Sequence, residues 1–286
     1  MVRRRWLPLL LAVLLVAVAA AAQQAQDDTQ QAPPPNPPQA NPGRPTVSTP
    51  ATLTPVGYLQ FETGALGASD SPGLNSQFSL NEVIKFTVAR RLELLVSSEP
   101  YAHTDAEGQP ANAPGDVDLG VQGVVHQGEG ANPTVALSYF GRVYAGAAPD
   151  LDIPSFKNSA LVLFSGDVKG FHYDTNYLFE EVVDGSVRRA VFGQTLSVSH
   201  ALAGKFGLSG EIWHFTQPFL HGNAVGNLWA VNYNASNLLV LDCGFDHGLT
   251  STSTQWEAFA GFTYLLPRKL PSWPRKSGNR AEPAGH

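Results

Sequence analysis

The sequence predicts an all-β fold, a transmembrane antiparallel up-and-down β-barrel of about 12 strands, with ten or fourteen as alternative counts. Three observations predict it. From Val56 to Leu266, apolar and polar residues alternate with period two, which places successive side chains on opposite faces of a strand. The polar positions are Asp, Asn, Gln, Ser, Thr and Gly, and charged residues make up only 15% of the chain. A water-facing sheet carries many Lys and Glu on its outer side, whereas a lipid-facing barrel puts apolar residues outside and polar ones within. Finally, the segments between strands alternate in length.

Residues 1–22 read as a signal peptide. Arg3, Arg4 and Arg5 precede the apolar run Trp6–Val18, and Ala19–Ala22 supply the small residues of a cleavage site after Ala22. The cut region holds no cysteine, so no lipoprotein is expected. Cleavage leaves 264 residues and takes the formal charge from −6 to −9, a poor basis for nucleic-acid binding. Cys243, the only cysteine, excludes an internal disulfide framework and a thiolate zinc site. Beyond the leader no apolar run reaches the length of a spanning helix, so a membrane would be crossed by strands.

Residues 23–55 contain Pro33–Pro35, Pro37, Pro38, Pro42, Pro45 and Pro50 among Gln, Asn and Ala. That composition predicts a disordered, partly polyproline periplasmic spacer. Residues 56–266 form the barrel. Residues 267–286, with Arg268, Lys269, Arg275, Lys276 and Arg280, read as a basic periplasmic tail.

Within the barrel, strands are expected near 56–66, 76–88, 92–101, 116–126, 133–144, 158–166, 169–181, 189–200, 205–215, 225–234, 238–247 and 255–266. Long gaps then fall at Gly67–Asn75, His103–Gly115, Ala145–Lys157, Val182–Arg188, Thr216–Ala224 and Gly248–Thr254, and short ones near Ala89–Arg91, Gln127–Asn132, Asp167–Val168, Ala201–Gly204 and Ala235–Asn237. Long outer loops with tight periplasmic turns, and an even strand count, put both termini in the periplasm. Trp256 and Tyr264 lie eight residues apart on one face, about 27 Å along a strand at ~3.4 Å per residue, and are the expected aromatic girdle. Glu82 and Gln194 fall on otherwise apolar faces, and a bulge, a loop-level position or a shifted register would explain each.

The opposite faces place Glu62, Glu93, Asp116, Asp118, Asp174, Glu180, Glu211, Asp242, Asp246 and Glu257 inside, against Lys85, Arg142, Arg189 and Lys205. An acidic lumen with low-dielectric walls favours cations; in a narrow barrel the same charges could pair and plug it.

The segments Gly115–Val121 and Leu239–Thr250, followed by Ala258–Tyr264, resemble the outer-membrane β-barrel family named for the meta-pathway of phenol degradation, whose members are called transporters. The resemblance extends loosely over Val56–Leu266. It implies passive uptake of small solutes, with aromatic compounds among them, and supplies no catalytic residue. The chain departs from the pattern by continuing twenty residues past its closing strand. Gly261, Tyr264 and Leu266 resemble, in an internal position, the terminal signal read by the barrel assembly machinery.

A lipid hydrolase built on a barrel is the rival class. His200 near Ser197 and Ser199, and His214 near Ser209, supply the residue types, but Ser199 and His200 point to opposite faces and no Gly-x-Ser-x-Gly elbow exists. A third class is a structural or surface barrel without transport. His103 and Asp105 alone do not make a metal site. No enzyme, cofactor or metal is expected; the expected partners are outer-membrane lipid, the assembly machinery and small solutes.

Overall fold

A computed structural model describes residues 37–106, 108–152 and 156–270. The leader, the spacer up to residue 36 and the tail beyond residue 270 lie outside the described residues. The strands are β1 (Leu59–Ser71), β2 (Leu74–Ala89), β3 (Leu92–Ala106), β4 (Gln109–Ala113), β5 (Val117–His126), β6 (Thr134–Tyr144), β7 (Phe156–Val168), β8 (Phe171–Asp184), β9 (Val187–Ala201), β10 (Phe206–Gln217), β11 (Gly222–Ser236), β12 (Leu239–Gly248) and β13 (Trp256–Leu265). Neighbours pair antiparallel around the whole sheet, and β1 closes it by pairing with both β2 and β13. The short β4 pairs only with the end of β3. It is a side hairpin, so twelve strands close the barrel.

Closure leaves no strand edge, which is what a sheet surrounded by hydrocarbon requires. The exposed large apolar side chains include Phe78, Phe171, Phe179, Ile212, Trp229, Phe245 and Phe262. The side chains buried on the opposite face include Gln60, Glu62, Glu93, Gln122 and Asn176. This is the inversion that the alternation predicted.

The barrel differs from the sequence-based expectation first in its overhangs, where His103–Gly115 also carries the β3–β4 hairpin. Gly67–Asn75 and Val182–Arg188 are not loops. β1 and β2 stay paired to Ser71↔Leu74, and β8 and β9 to Asp184↔Val187, with two-residue turns between them. Gly73 (φ 81°) and Gly185 (φ 57°) occupy these turns in the left-handed region that glycine tolerates. Strand pairing is made by backbone groups, so polar Ser, Asp and Gly residues continue a ladder as readily as apolar ones. Strand overhang, rather than loop length, therefore distinguishes the two ends.

The second difference lies inside. The lumen is not uniformly polar: Val124, Ala136, Leu161, Leu163, Leu178, Trp213, Phe215 and Ala224 form an apolar wall across β5–β11. The run Ala160–Phe164, apolar at every position, is the mark of a strand covered on both faces.

Glu82 sits on the outer face and accepts a hydrogen bond from Thr63 Oγ1. Beside it the pairing of β2 with β3 shifts from Leu80↔Tyr101 to Glu82↔Ser98, a bulge that holds Glu99 and Pro100. Pro100 has no N–H to give to a ladder, and a bulge accommodates it. Gln194 stands on the outer face between Tyr177 and His214.

Candidate functional site: the lumen, its internal arm and an acidic chamber

Residues 37–55, expected as part of a disordered spacer, enter the barrel from the end where β1 starts and β13 finishes, and return to it at Gly57. A chain without regular structure leaves its amides unpaired, and buried amides need acceptors. Pro37, Pro38, Pro42, Pro45, Pro50 and Pro55 remove some of the donors outright. Inward-facing side chains take most of the others. Asn41 N donates to Gln60 Oε1 (2.8 Å) and Gly43 N to Glu62 Oε1 (3.0 Å). The amides of Val47 and Ser48 donate to the two oxygens of Glu211 (2.7 Å each). Thr49 N reaches Asn176 Oδ1 (2.6 Å), Ala51 N reaches Ser165 Oγ (2.7 Å) and Thr54 N reaches Glu93 Oε1 (3.0 Å). Gln122 Nε2 in turn donates to Pro50 O (2.9 Å).

The apolar wall explains why the arm stays. Ala51 belongs to it, and Val47 and Leu53 pack against it. Arg44 fixes the other side through Nη2 to Asp242 Oδ1 (3.2 Å). Its guanidinium lies against Gly64 and Gly261, which face each other across the β1–β13 pair. A Cβ on Gly64 would stand 2.3 Å from the guanidinium carbon. Only glycine leaves that recess open.

Above the arm is a chamber of about 370 Å³. Residues 145–152, which follow β6, fold over it: Asp152, at φ 55°, accepts from Thr254 N (2.7 Å) through its carboxylate and from Gln217 Nε2 through its carbonyl. Burial pushes the Asp152 carboxyl above its ordinary pKa, opposed by the Thr254 hydrogen bonds. Glu99, Asp116, Asp118, Asp150, Asp152, Asp246 and Glu257 line the chamber with Arg142 as their one cation among the lining residues. Arg142 pairs with Asp116, lies 3.6 Å from Asp118 and covers the Phe156 ring at 5.3 Å. Trp213 Nε1 donates to Asp246 Oδ2 (2.6 Å), and the Trp213 and Phe215 rings lie 5.6 Å apart. Gly226 and Gly193 provide clearance behind them, since a Cβ at either would stand 2.2 or 2.5 Å from the indole or phenyl ring.

The expected lumen charges thus fall into two levels. Glu62, Glu93, Glu211 and Asp242 hold the arm, and Lys85 pairs with Glu62 at 2.5 Å. Asp116, Asp118, Arg142, Asp246 and Glu257 surround the chamber. Asp174 is buried between them, accepting from Ser165 Oγ (2.5 Å) with His172 Nε2 at 3.3 Å, and Glu180 accepts from Ser159 Oγ (3.1 Å). Arg189 is exposed on the β9 overhang, away from the lumen; Lys205 lies in the β9–β10 turn, with Nζ on Ala235 O (2.7 Å). Trp256 and Tyr264 are exposed at opposite ends of β13.

Sequence reasoning missed the arm contacts and the chamber residues Asp150, Asp152, Trp213 and Phe215. One signal was available for the arm: Val47 and Leu53, with hydroxyls at Thr46, Ser48, Thr49, Thr52 and Thr54, distinguish residues 44–55 from the Gln/Pro stretch before them. Among the described residues, no group of three or more His, Cys, Asp or Glu is arranged to hold a metal ion.

No family model matches the sequence, and no curated protein does. Solved structures do. An outer-membrane channel from Pseudomonas putida F1 aligns at a TM-score of 0.56 and 12% identity, over 79% of this chain and 100% of that one. The NanC porin aligns at a TM-score of 0.51 and 12% identity, over 72% of this chain and 98% of that one. At this identity the likeness is one of fold alone, the closed antiparallel barrel that this chain builds from twelve strands.

Proposed function

We propose that this chain is an outer-membrane channel for passive passage of small solutes, with its N-terminal arm as a resident constriction. The observation that carries the proposal is the division of faces: a closed barrel, apolar outside, encloses a charged lumen that widens into a chamber above the arm. A barrel serving only as an anchor has no need of an acidic internal chamber. The excess of carboxylates predicts cation preference, because a low-dielectric wall concentrates the field of charges along a narrow path. The sequence resemblance to the phenol meta-pathway family adds aromatic compounds as candidate solutes. The leader-like residues 1–22 and the even strand count support an outer-membrane location with both ends in the periplasm.

One observation favours a second reading, a non-conducting structural barrel. The arm fills the half of the lumen nearest the termini and satisfies its carboxylates there. Planar-bilayer recording of the refolded protein under a KCl gradient separates the two. The channel reading expects discrete openings with a reversal potential displaced toward that of potassium. Anion preference would overturn the selectivity, and silence in both the full chain and a variant lacking residues 39–54 would overturn the channel.

A further inference from the structure

We infer that the chamber is a binding site for an organic cation, a primary ammonium carried on an aromatic or short hydrocarbon body. The inference rests on the channel reading for its place in transport, but the site is argued from its own walls.

Charge is the first argument. Apart from Glu82, whose side chain bonds Thr63 on the outer face, seven acidic residues line the space with one guanidinium, and that guanidinium is already engaged by Asp116 and Asp118. Unpaired acceptors, one of them on the uncharged Gln77, point the same way. Gln77 and Asp246, each about 5% exposed, line the chamber; Gln77 Oε1 carries no hydrogen bond, and Asp246 Oδ1 has no side-chain donor, its carboxylate being served by Trp213 and the neighbouring His247 amide. Buried acceptors without donors cost free energy, because they have given up water and gained no partner. Both are oxygen acceptors, so the missing partner is a donor. An ammonium brings three N–H donors and a positive charge; a carboxylate or an ether brings none.

The remaining walls describe the rest of the ligand. Leu66 and Phe156, with the nearly buried Trp213 and Phe215, are the apolar and aromatic members of the wall. A bare metal ion has no use for such surface, and a polyol gains little from it. A cation next to an indole is attracted by the ring quadrupole. The volume of about 370 Å³ is at the small end of the ~300–1,000 Å³ usual for organic ligands. It suits a single ring with a short amine chain.

The test is titration calorimetry on the refolded full chain in detergent, with 2-phenylethylammonium chloride and sodium phenylacetate as probes. The two share a ring and differ in the sign of the charged group. The amine is expected to bind and the acid not to. Asp246→Asn keeps an oxygen for Trp213 Nε1 while removing the charge; it should weaken the amine by about tenfold, equivalent to ~1.4 kcal/mol. Glu257→Gln should weaken it likewise, and the heat-modified mobility of the barrel on gels reports whether each variant is folded. Equal binding of both probes, or amine affinity unchanged in both folded variants, would overturn the assignment. Because calorimetry reads occupancy without current, a silent bilayer with intact amine binding would sink the channel and leave the site standing.

Discussion

Glu211 is the strongest single attachment of the arm, and its removal has a calculable effect. It accepts from Val47 N and Ser48 N at 2.7 Å each and from Ser48 Oγ at 2.5 Å, in a place where Ser48 is fully buried. Glu211→Ala leaves two buried amides without acceptors at about 1–3 kcal/mol each, so the docked arm loses roughly 2–6 kcal/mol relative to the free one. At ~1.4 kcal/mol per tenfold, its undocked fraction rises by between about 30-fold and about 10⁴-fold. Water entering the vacated space moves the result toward the lower figure. The readout is the reaction rate of a cysteine at Ser48→Cys, in a Cys243→Ala background, with a water-soluble thiosulfonate. Labelling slow with Glu211 present should accelerate at least about 30-fold in the alanine variant, and Glu211→Gln, which keeps one acceptor oxygen, should fall between. Equal rates in all three would show that the apolar wall, not the carboxylate, holds the arm.

Two further outcomes follow from the barrel and its inner segment. Cys243 is exposed on the outer face of β12, so a nitroxide attached there should be relaxed by oxygen dissolved in the bilayer and shielded from an aqueous nickel chelate; the reverse would contradict a lipid-facing position. Burial raises the Asp152 carboxyl above its ordinary value of 3.8, so its docking is strongest when protonated and weakens as pH rises through the raised value. A spin label at Ala148→Cys, also in the Cys243→Ala background, should gain mobility on going from about pH 4 to about pH 8, and Asp152→Asn should abolish the change.

The alternation in Trp256–Leu265 was readable because lipid imposes one chemistry along a whole face, and the period survives residue by residue. Glu62, Glu211 and Asp242 were assigned inward by the same parity. What they bind was not readable, since Arg44 and Asp242 stand 198 positions apart, and no local pattern connects a proline-rich segment with carboxylates on distant strands. The apolar inner wall was hidden for the same reason. Leu161 and Leu163 look like a break in the pattern until Ala51 is placed against them. The overhangs at Ser71–Leu74 and Asp184–Val187 were misread because Gly, Ser and Asp are shared by loops and by ladders that leave the membrane.

The recess that receives Arg44 has a consequence for assembly. Gly64 belongs to the first strand and Gly261 to the last, so the niche does not exist until the two ends of the sheet have met. The arm precedes both strands in the chain, yet its seat is among the last surfaces to form. Its other acceptors, on β3, β7, β8 and β10, are likewise spread around the circumference. A growing, still-open sheet therefore offers the arm no stable lodging. Once closed, the barrel carries a latch over its own seam: separating β1 from β13 would also release Arg44, which adds the arm's attachments to the work of opening the cylinder.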